Sequence, residues 1–223
     1  MNRKGAGVIL ALLMLLCLGC ATAGTDNGWI DLFDGKTLNG WIQKNGTATY
    51  RVEDRTIVGQ TTKASPNAFL CSAQEFGDFE LTFDVKLSNT ELNSGVQIRS
   101  QTKEPSAGEK FGRVNGPQVE IAAGNKNGSD SGYIYGEACG GWMSPDNKRV
   151  YHKAFKPTDW NSYRVIAKGA RIQTWINGQQ IEDLVDEAKL ASHPKGFIGL
   201  QVHGVGDKGP YEVAWRSIRI KPL

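Results

Sequence analysis

Apolar and polar residues alternate without interruption between Asp78 and Leu87. The apolar positions are Phe79, Leu81, Phe83, Val85 and Leu87, and every residue between them is polar or charged. Successive side chains of a β-strand point to opposite faces, so this pattern predicts a strand with one buried face.

Other short segments have the same character and indicate an all-β chain. Two tight turns support this interpretation, because Asn177-Gly178 suits a two-residue hairpin and Gly169 lies at a second reversal. Long Gly- and Pro-rich loops are expected at 100–117 and 136–156, and a short helical turn within 183–192. The predicted strands are 50–53, 56–59, 94–99, 118–122, 133–135, 162–168, 171–176, 179–183, 196–202 and 211–221. We predict a sandwich of two antiparallel sheets.

The first 20 residues are typical of a secretory leader. A positively charged start precedes an apolar run at 8–18 that is short for a membrane-spanning helix. Cleavage before Cys20 would follow the lipoprotein pattern, although Cys17 stands where that pattern prefers Leu; cleavage after Ala23 is the alternative. We favour acylation of Cys20, which would place the protein in the periplasm or cell envelope on a lipid anchor.

Residues 21–28 are expected to be a tether and residues 29–223 a single domain. Loss of the leader leaves 24 basic and 23 acidic residues, a formal net charge of +1 instead of +3. This balance gives no reason to expect a nucleic-acid partner. Cys71 and Cys139 would remain, either as a disulfide in an oxidising compartment or as two separate buried thiols.

Polar residues interrupt three apolar strands at alternate positions. Within each strand the apolar neighbours can enter a core, which leaves the polar side chains on the opposite face. A sheet that carries Arg, Glu and His on one face is a candidate site. The three pairs are Gln97 with Arg99, Gln118 with Glu120, and Gln201 with His203.

Six motifs in order resemble the 3-keto-disaccharide hydrolase family, and the resemblance covers residues 29–223. The resemblance implies a concanavalin-like jelly roll in exported bacterial proteins that act on glycosides oxidised to a ketone at C3. The motifs are Leu32-Phe33-Asp34-Gly35-Lys36-Thr37-Leu38-Asn39-Gly40-Trp41, Asn93-Ser94-Gly95 with Arg99, Asp159-Trp160-Asn161, Trp175-Ile176-Asn177-Gly178, Gly199-Leu200-Gln201-Val202-His203-Gly204, and Trp215-Arg216-Ser217-Ile218-Arg219-Ile220.

A C3 ketone acidifies the hydrogen on C2, so the glycosidic oxygen on C1 can be expelled by elimination and water added afterwards. This chemistry needs a base, a group that stabilises the enolate oxygen, and help for the leaving oxygen. We predict His203 as the base or a metal ligand, Arg99 as the group that polarises the ketone, and Glu120 as an alternative base, a partner of His203 or a cation ligand. Arg99 could equally form a salt bridge to Glu120.

A sugar ring can lie on aromatic side chains while amides bind its hydroxyls. The candidate substrate-binding residues are Tyr135, Trp142, Gln97, Gln118, Gln201 and Asn93. No spacing requires a metal or another cofactor, although a divalent cation such as calcium could be completed by backbone carbonyls.

Two other classes of function remain open. A conventional glycosidase needs two carboxylates flanking the bond, for which Glu137 is the best partner of Glu120. A noncatalytic carbohydrate-binding module or a surface adhesion domain would use the same fold without turnover.

Overall fold

A computed structural model that describes residues 27–223 places the alternating segments in two antiparallel sheets. The strands are β1 (Ile30–Asp31), β2 (Trp41–Lys44), β3 (Thr49–Glu53), β4 (Thr56–Gln60), β5 (Ala68–Phe76), β6 (Phe79–Leu87), β7 (Asn93–Lys103), β8 (Arg113–Ala122), β9 (Ile134–Glu137), β10 (Gly141–Trp142), β11 (Asn161–Lys168), β12 (Arg171–Ile176), β13 (Gln179–Val185), β14 (Gly196–Val202) and β15 (Glu212–Pro222). A four-residue helix, α1 (Glu187–Leu190), lies within the segment expected to form a helical turn.

One sheet has eight strands in the order β13-β12-β11-β6-β15-β4-β3, with β1 paired to β15. The other has seven, in the order β10-β9-β8-β7-β14-β5-β2. The predicted all-β jelly-roll sandwich is therefore confirmed.

The core lies between the sheets and is made by the apolar half of each alternating strand. In β6 the five apolar residues predicted to share a face are all buried. From the seven-stranded sheet, Val96 and Ile98 of β7, Val119 of β8 and Leu200 of β14 enter the same core. Complete burial of a side chain of this size contributes about 1.5–3 kcal/mol, and it leaves the polar half of these strands on the outer face of the sheet.

The predicted hairpin turn at Asn177-Gly178 is confirmed, and one expected loop is shorter than predicted. Asn177 and Gly178 both have positive φ, of 51° and 84°, as a type I′ hairpin requires. Half of the predicted loop at 100–117 is strand, because β7 continues to Lys103 and β8 begins at Arg113, and the loop is confined to 104–112. Alternation is weak there because β7 and β8 shift register between Gln97 and Gln101.

Strands β1, β2, β5 and β10 lie outside the strands predicted from the sequence. The first five residues of β5 are all buried, and its sequence does not alternate between apolar and polar residues. The pattern that predicts a half-buried strand is therefore missing from β5.

Both described cysteines are free thiols, so the disulfide alternative is wrong. Cys71 is buried and its pKa rises to about 12 because the thiolate would lose its hydration. Cys139 is exposed, which also corrects the alternative of two buried thiols.

The expected leader, the acylated Cys20 and most of the tether lie outside the described residues. From residue 27 onward, the single short helix is far below the length and hydrophobicity that membrane crossing demands.

Candidate active site

A cavity of about 280 Å³ opens on the outer face of the seven-stranded sheet. Its lining is almost entirely polar, with two carboxylates, one imidazole and one guanidinium. The lining residues are Asn67, Asn93, Arg113, Gln118, Glu120, Tyr135, Glu137, Trp142, Gln201 and His203. Seven of the nine residues proposed for catalysis or substrate binding are among them, and the structure separates Gln97 and Arg99 from this group.

Glu120 is a buried carboxyl group held by two amides. Asn93 Nδ2 donates to Glu120 Oε1, and Gln118 Nε2 donates to Glu120 Oε2 over 3.1 Å. Burial raises the pKa of Glu120 from 4.5 to about 7, because the loss of hydration outweighs these two hydrogen bonds. A carboxyl group with such a pKa can both give and take a proton near neutral pH.

Gln97 supports the site from beneath without lining the cavity. Its Nε2 donates to Gln118 Oε1 over 2.7 Å, and its Oε1 accepts from Ser100 Oγ over 2.6 Å. This chain fixes the direction of the Gln118 amide, whose Nε2 must then face Glu120. Gln97 is thus a positioning residue for Glu120, which differs from its predicted contact with a sugar hydroxyl.

Glu137 is the second buried carboxylate of the cavity. Its Oε1 accepts from Arg113 Nη2 over 2.9 Å, and Gln201 Nε2 donates to its Oε2 over 3.5 Å. Burial raises the pKa of Glu137, while Arg113, His203 and a hydrogen bond from Asn67 oppose that rise.

The ring of His203 is oriented by the backbone. Its Nδ1 lies 2.7 Å from the carbonyl oxygen of Gly204, which only accepts hydrogen bonds, so Nδ1 carries the proton in the neutral ring. Asn67 Oδ1 accepts from the Gly204 N–H and holds this turn in place. The neutral imidazole therefore keeps the lone pair of Nε2 for a ligand or a proton.

Two aromatic side chains form one wall of the cavity. Tyr135 of β9 and Trp142 of β10 are paired across the hairpin, with ring centroids 5.3 Å apart and nearly perpendicular planes. The guanidinium carbon of Arg149 lies 4.0 Å from the Trp142 ring centroid, which fixes the indole. An apolar face of a ligand could pack against this wall.

Arg99 does not belong to this cavity, which corrects its assignment as a catalytic residue. It lies in the bulge where β7 shifts register, with φ of 50°, and its side chain is buried. The guanidinium donates to the carbonyls of Gly77 and Gly169 and to Asp78 Oδ1, all at 2.7–2.8 Å. A bulge breaks the strict alternation that placed Arg99 beside Gln97, so this side chain instead ties two turns together.

Arg113 is the guanidinium that the cavity contains, and it is not among the residues predicted from the sequence. It lies in the segment predicted to be a loop, although Arg113 and Asn115 alternate with the apolar Val114, a pattern that extends the strand. Asn67 is not among the residues predicted from the sequence, because it lies in the loop that precedes β5.

The other two histidines, His152 and His193, form hydrogen bonds with residues that do not line the cavity. His152 Nε2 lies 2.7 Å from the carbonyl of Ser131, and His193 Nε2 lies 3.1 Å from Asn115 Oδ1. His203 is the imidazole that lines the cavity. Within residues 27–223 no three His, Cys, Asp or Glu side chains are grouped to hold a metal ion.

The fold and this cavity define a jelly-roll protein with an acidic, aromatic-walled pocket on one sheet. The chain belongs to the family of 3-keto-alpha-glucoside-1,2-lyase-like domains, whose model matches residues 28–221. No curated protein sequence matches it.

Solved structures share the fold at low sequence identity. A candidate glycosyl hydrolase from Parabacteroides distasonis ATCC 8503 is 21% identical, with 88% of this chain and 94% of that chain covered and a TM-score of 0.57. The carbohydrate-binding module CBM66 from Bacillus subtilis is 17% identical, with coverages of 82% and 95% and a TM-score of 0.53. The kappa-carrageenase from Pseudoalteromonas carrageenovora is 13% identical, with coverages of 92% and 98% and a TM-score of 0.60.

Proposed function

We propose that this protein cleaves 3-keto-glycosides by elimination between C1 and C2 of the oxidised sugar, followed by addition of water. The proposal rests on the presence, in one cavity, of an imidazole whose neutral form carries its proton on Nδ1 and a buried carboxyl group whose pKa burial raises to about 7. The family description, which names a 1,2-lyase acting on 3-keto-alpha-glucosides, supports the same bond cleavage.

The reaction has a definite proton balance. His203 Nε2 takes the proton from C2, and the electron pair of that bond moves toward the C3 ketone oxygen to form an enolate. Arg113, in place of Arg99, supplies the positive charge that stabilises this oxygen. The enolate collapses, the C1–O bond breaks, and the leaving oxygen takes the proton of Glu120. Water then adds to C1 of the unsaturated keto sugar: it gives one proton to Glu120, and His203 returns its proton to C2, so both side chains regain their starting states.

The buried state of Glu120 suits a proton donor. Because its pKa is about 7, a large fraction of the group is protonated at neutral pH, whereas an ordinary glutamate would be almost fully ionised. The amides of Asn93 and Gln118 restrict its rotation, which keeps the carboxyl group in one orientation.

A conventional glycosidase is the second candidate, favoured by the presence of Glu137 beside Glu120 in the cavity lining. Such an enzyme would hydrolyse an unoxidised glycoside by using one carboxylic acid and one carboxylate. The two mechanisms are separated by their substrates.

The first test is incubation of the protein with a 3-keto-disaccharide and its unoxidised parent, with and without chelator. We expect release of a monosaccharide and a transient unsaturated keto sugar from the oxidised substrate alone. Cleavage of the parent would favour the two-carboxylate mechanism, and loss of cleavage with chelator would reveal a divalent cation.

The variant His203→Ala distinguishes an enzyme from a binding module. We expect turnover to fall by at least about 100-fold, the usual contribution of a positioned base, with the thermal unfolding temperature retained. A protein that binds the sugar but cleaves neither substrate would instead be a carbohydrate-binding module, and one that binds no small sugar would fit a surface adhesion domain.

We also propose that the protein is exported and anchored through an acylated Cys20, on the sequence pattern of the leader alone. Metabolic labelling with an alkyne-tagged palmitate should mark the wild-type chain and fail to mark the variant Cys20→Ser. Cleavage after Ala23 would leave both unlabelled.

A further inference from the structure

Gln201 carries an unusual buried acceptor. Its side chain lines the cavity and the residue is only 1% exposed, yet its Oε1 has no hydrogen-bond partner within residues 27–223. Leaving a buried polar atom unpaired is costly, so such an atom in a binding cavity points to a ligand group that completes it.

The orientation of this amide follows from its neighbours. Gln201 Nε2 donates to Glu137 Oε2 over 3.5 Å. Turning the amide over would place its oxygen against the carboxylate oxygen, where two acceptors repel each other. The exchange is thus disfavoured, and Oε1 stays the atom that needs a donor.

Glu137 Oε1, the other oxygen of this carboxylate, accepts from a charged donor. Arg113 Nη2 donates to Glu137 Oε1 over 2.9 Å. The cavity therefore offers a guanidinium at one end of Glu137 and an unpaired acceptor at the other. A ketone oxygen accepts hydrogen bonds and cannot donate one, so it matches Arg113 and mismatches Gln201 Oε1. A hydroxyl group can donate and matches Gln201.

We infer that Gln201 is a specificity-determining residue that selects a free hydroxyl on the sugar ring and rejects a ketone at that position. This inference rests on the proposed function, because it assigns which end of the keto sugar lies at which end of Glu137. It restricts the substrates to rings oxidised at one carbon, with an unoxidised hydroxyl beside the Gln201 amide.

The test compares methyl 3-keto-α-glucoside with its 2-deoxy, 4-deoxy and 6-deoxy analogues on the wild-type protein and on Gln201→Leu. For the wild type we expect one analogue to lose about 10- to 100-fold in kcat/KM, since it leaves a buried acceptor unpaired. In Gln201→Leu this ratio should fall to near one, while the ratios for the other two analogues stay unchanged.

Two further variants keep the result interpretable. Gln201→Met has an unbranched side chain of similar length, and it should give the ratios expected of Gln201→Leu even if the branched leucine disturbs folding. Gln180→Leu replaces an exposed glutamine of β13 in the other sheet and should retain all wild-type ratios. Equal ratios in the wild type and both Gln201 variants would overturn the inference, as would a wild type that treats all three analogues like the parent.

Failure of the proposed reaction has a different signature. If the wild type cleaves none of these keto sugars, the elimination mechanism is wrong, and the same comparison is made on binding of methyl α-glucoside and its deoxy analogues by titration calorimetry. A binding ratio that depends on Gln201 would then support the hydroxyl contact by itself. Absence of binding, or ratios unaffected by Gln201, would overturn it.

Discussion

Replacing Glu120 by Gln should change how the stability of the fold depends on pH. Burial raises the pKa of this carboxyl group from 4.5 to about 7, so between these values the folded state keeps a proton that the unfolded chain releases. Stability must then fall as the pH rises through this window, by up to about 1.4 kcal/mol per pH unit. The total is roughly 3 kcal/mol, fully lost above pH 7.

The variant Glu120→Gln cannot titrate, so its curve lacks this decline. The amide oxygen can accept from only one of the two donors on Asn93 and Gln118 without a mismatch at the other, and this penalty does not depend on pH. The difference in unfolding free energy between variant and wild type should therefore shift by roughly 3 kcal/mol in favour of the variant between pH 4.5 and pH 8.

Urea unfolding at closely spaced pH values measures both curves. The control is Glu104→Gln, which removes an exposed glutamate and should run parallel to the wild type. Parallel curves for Glu120→Gln as well would mean that the pKa of Glu120 is the same in the folded and unfolded states, so the group would be ionised at neutral pH and the role of proton donor would be refuted.

Three further variants test the surroundings of the site. Arg99→Ala should lower the free energy of unfolding, measured by urea unfolding, by about 3 kcal/mol, because it removes three hydrogen bonds that join two turns. The folded fraction, counted by active-site titration, should keep its kcat for the keto sugar. A large loss of kcat would restore a catalytic role for Arg99. Gly95→Ala should lower kcat/KM by about tenfold, since a Cβ there would lie 2.3 Å from Gln118 Cδ and displace the Gln118 amide from Glu120. Unchanged kinetics would show that catalysis does not need the Gln118 amide. Arg113→Ala should raise the pKa of Glu137 further by removing a nearby positive charge. Carboxyl ¹³C NMR follows the titration of Glu137. An unchanged midpoint would contradict the ion pair between Arg113 and Glu137.

Much of the candidate site follows from local pattern. Glu120 and Gln201 share the outer face because each alternates with core residues of its own strand, and this relation needs no knowledge of strand order. Local sequence also defined the hairpin at Asn177-Gly178, since positive φ at both central residues is a property of those residue types.

The pairing of strands decides which charged side chains meet in the cavity. The distance from Arg113 to Glu137 depends on how β8 pairs with β9, and alternation within one strand carries no information on that register. The raised pKa of Glu120 cannot be predicted from alternation either, because it results from burial of the carboxyl group in the folded sheet.

Arg99 shows where the two kinds of information separate. Local sequence patterns predict an all-β chain, the buried and outer faces of its regular strands, and the carboxyl, amide and imidazole groups of a candidate site. The bulge that turns Arg99 toward Asp78, and the position of Arg113 in the cavity, become visible once the strands are paired. The physical reason is that side-chain alternation is a local property of an extended backbone, whereas bulges, register and burial arise from contacts between segments distant in sequence.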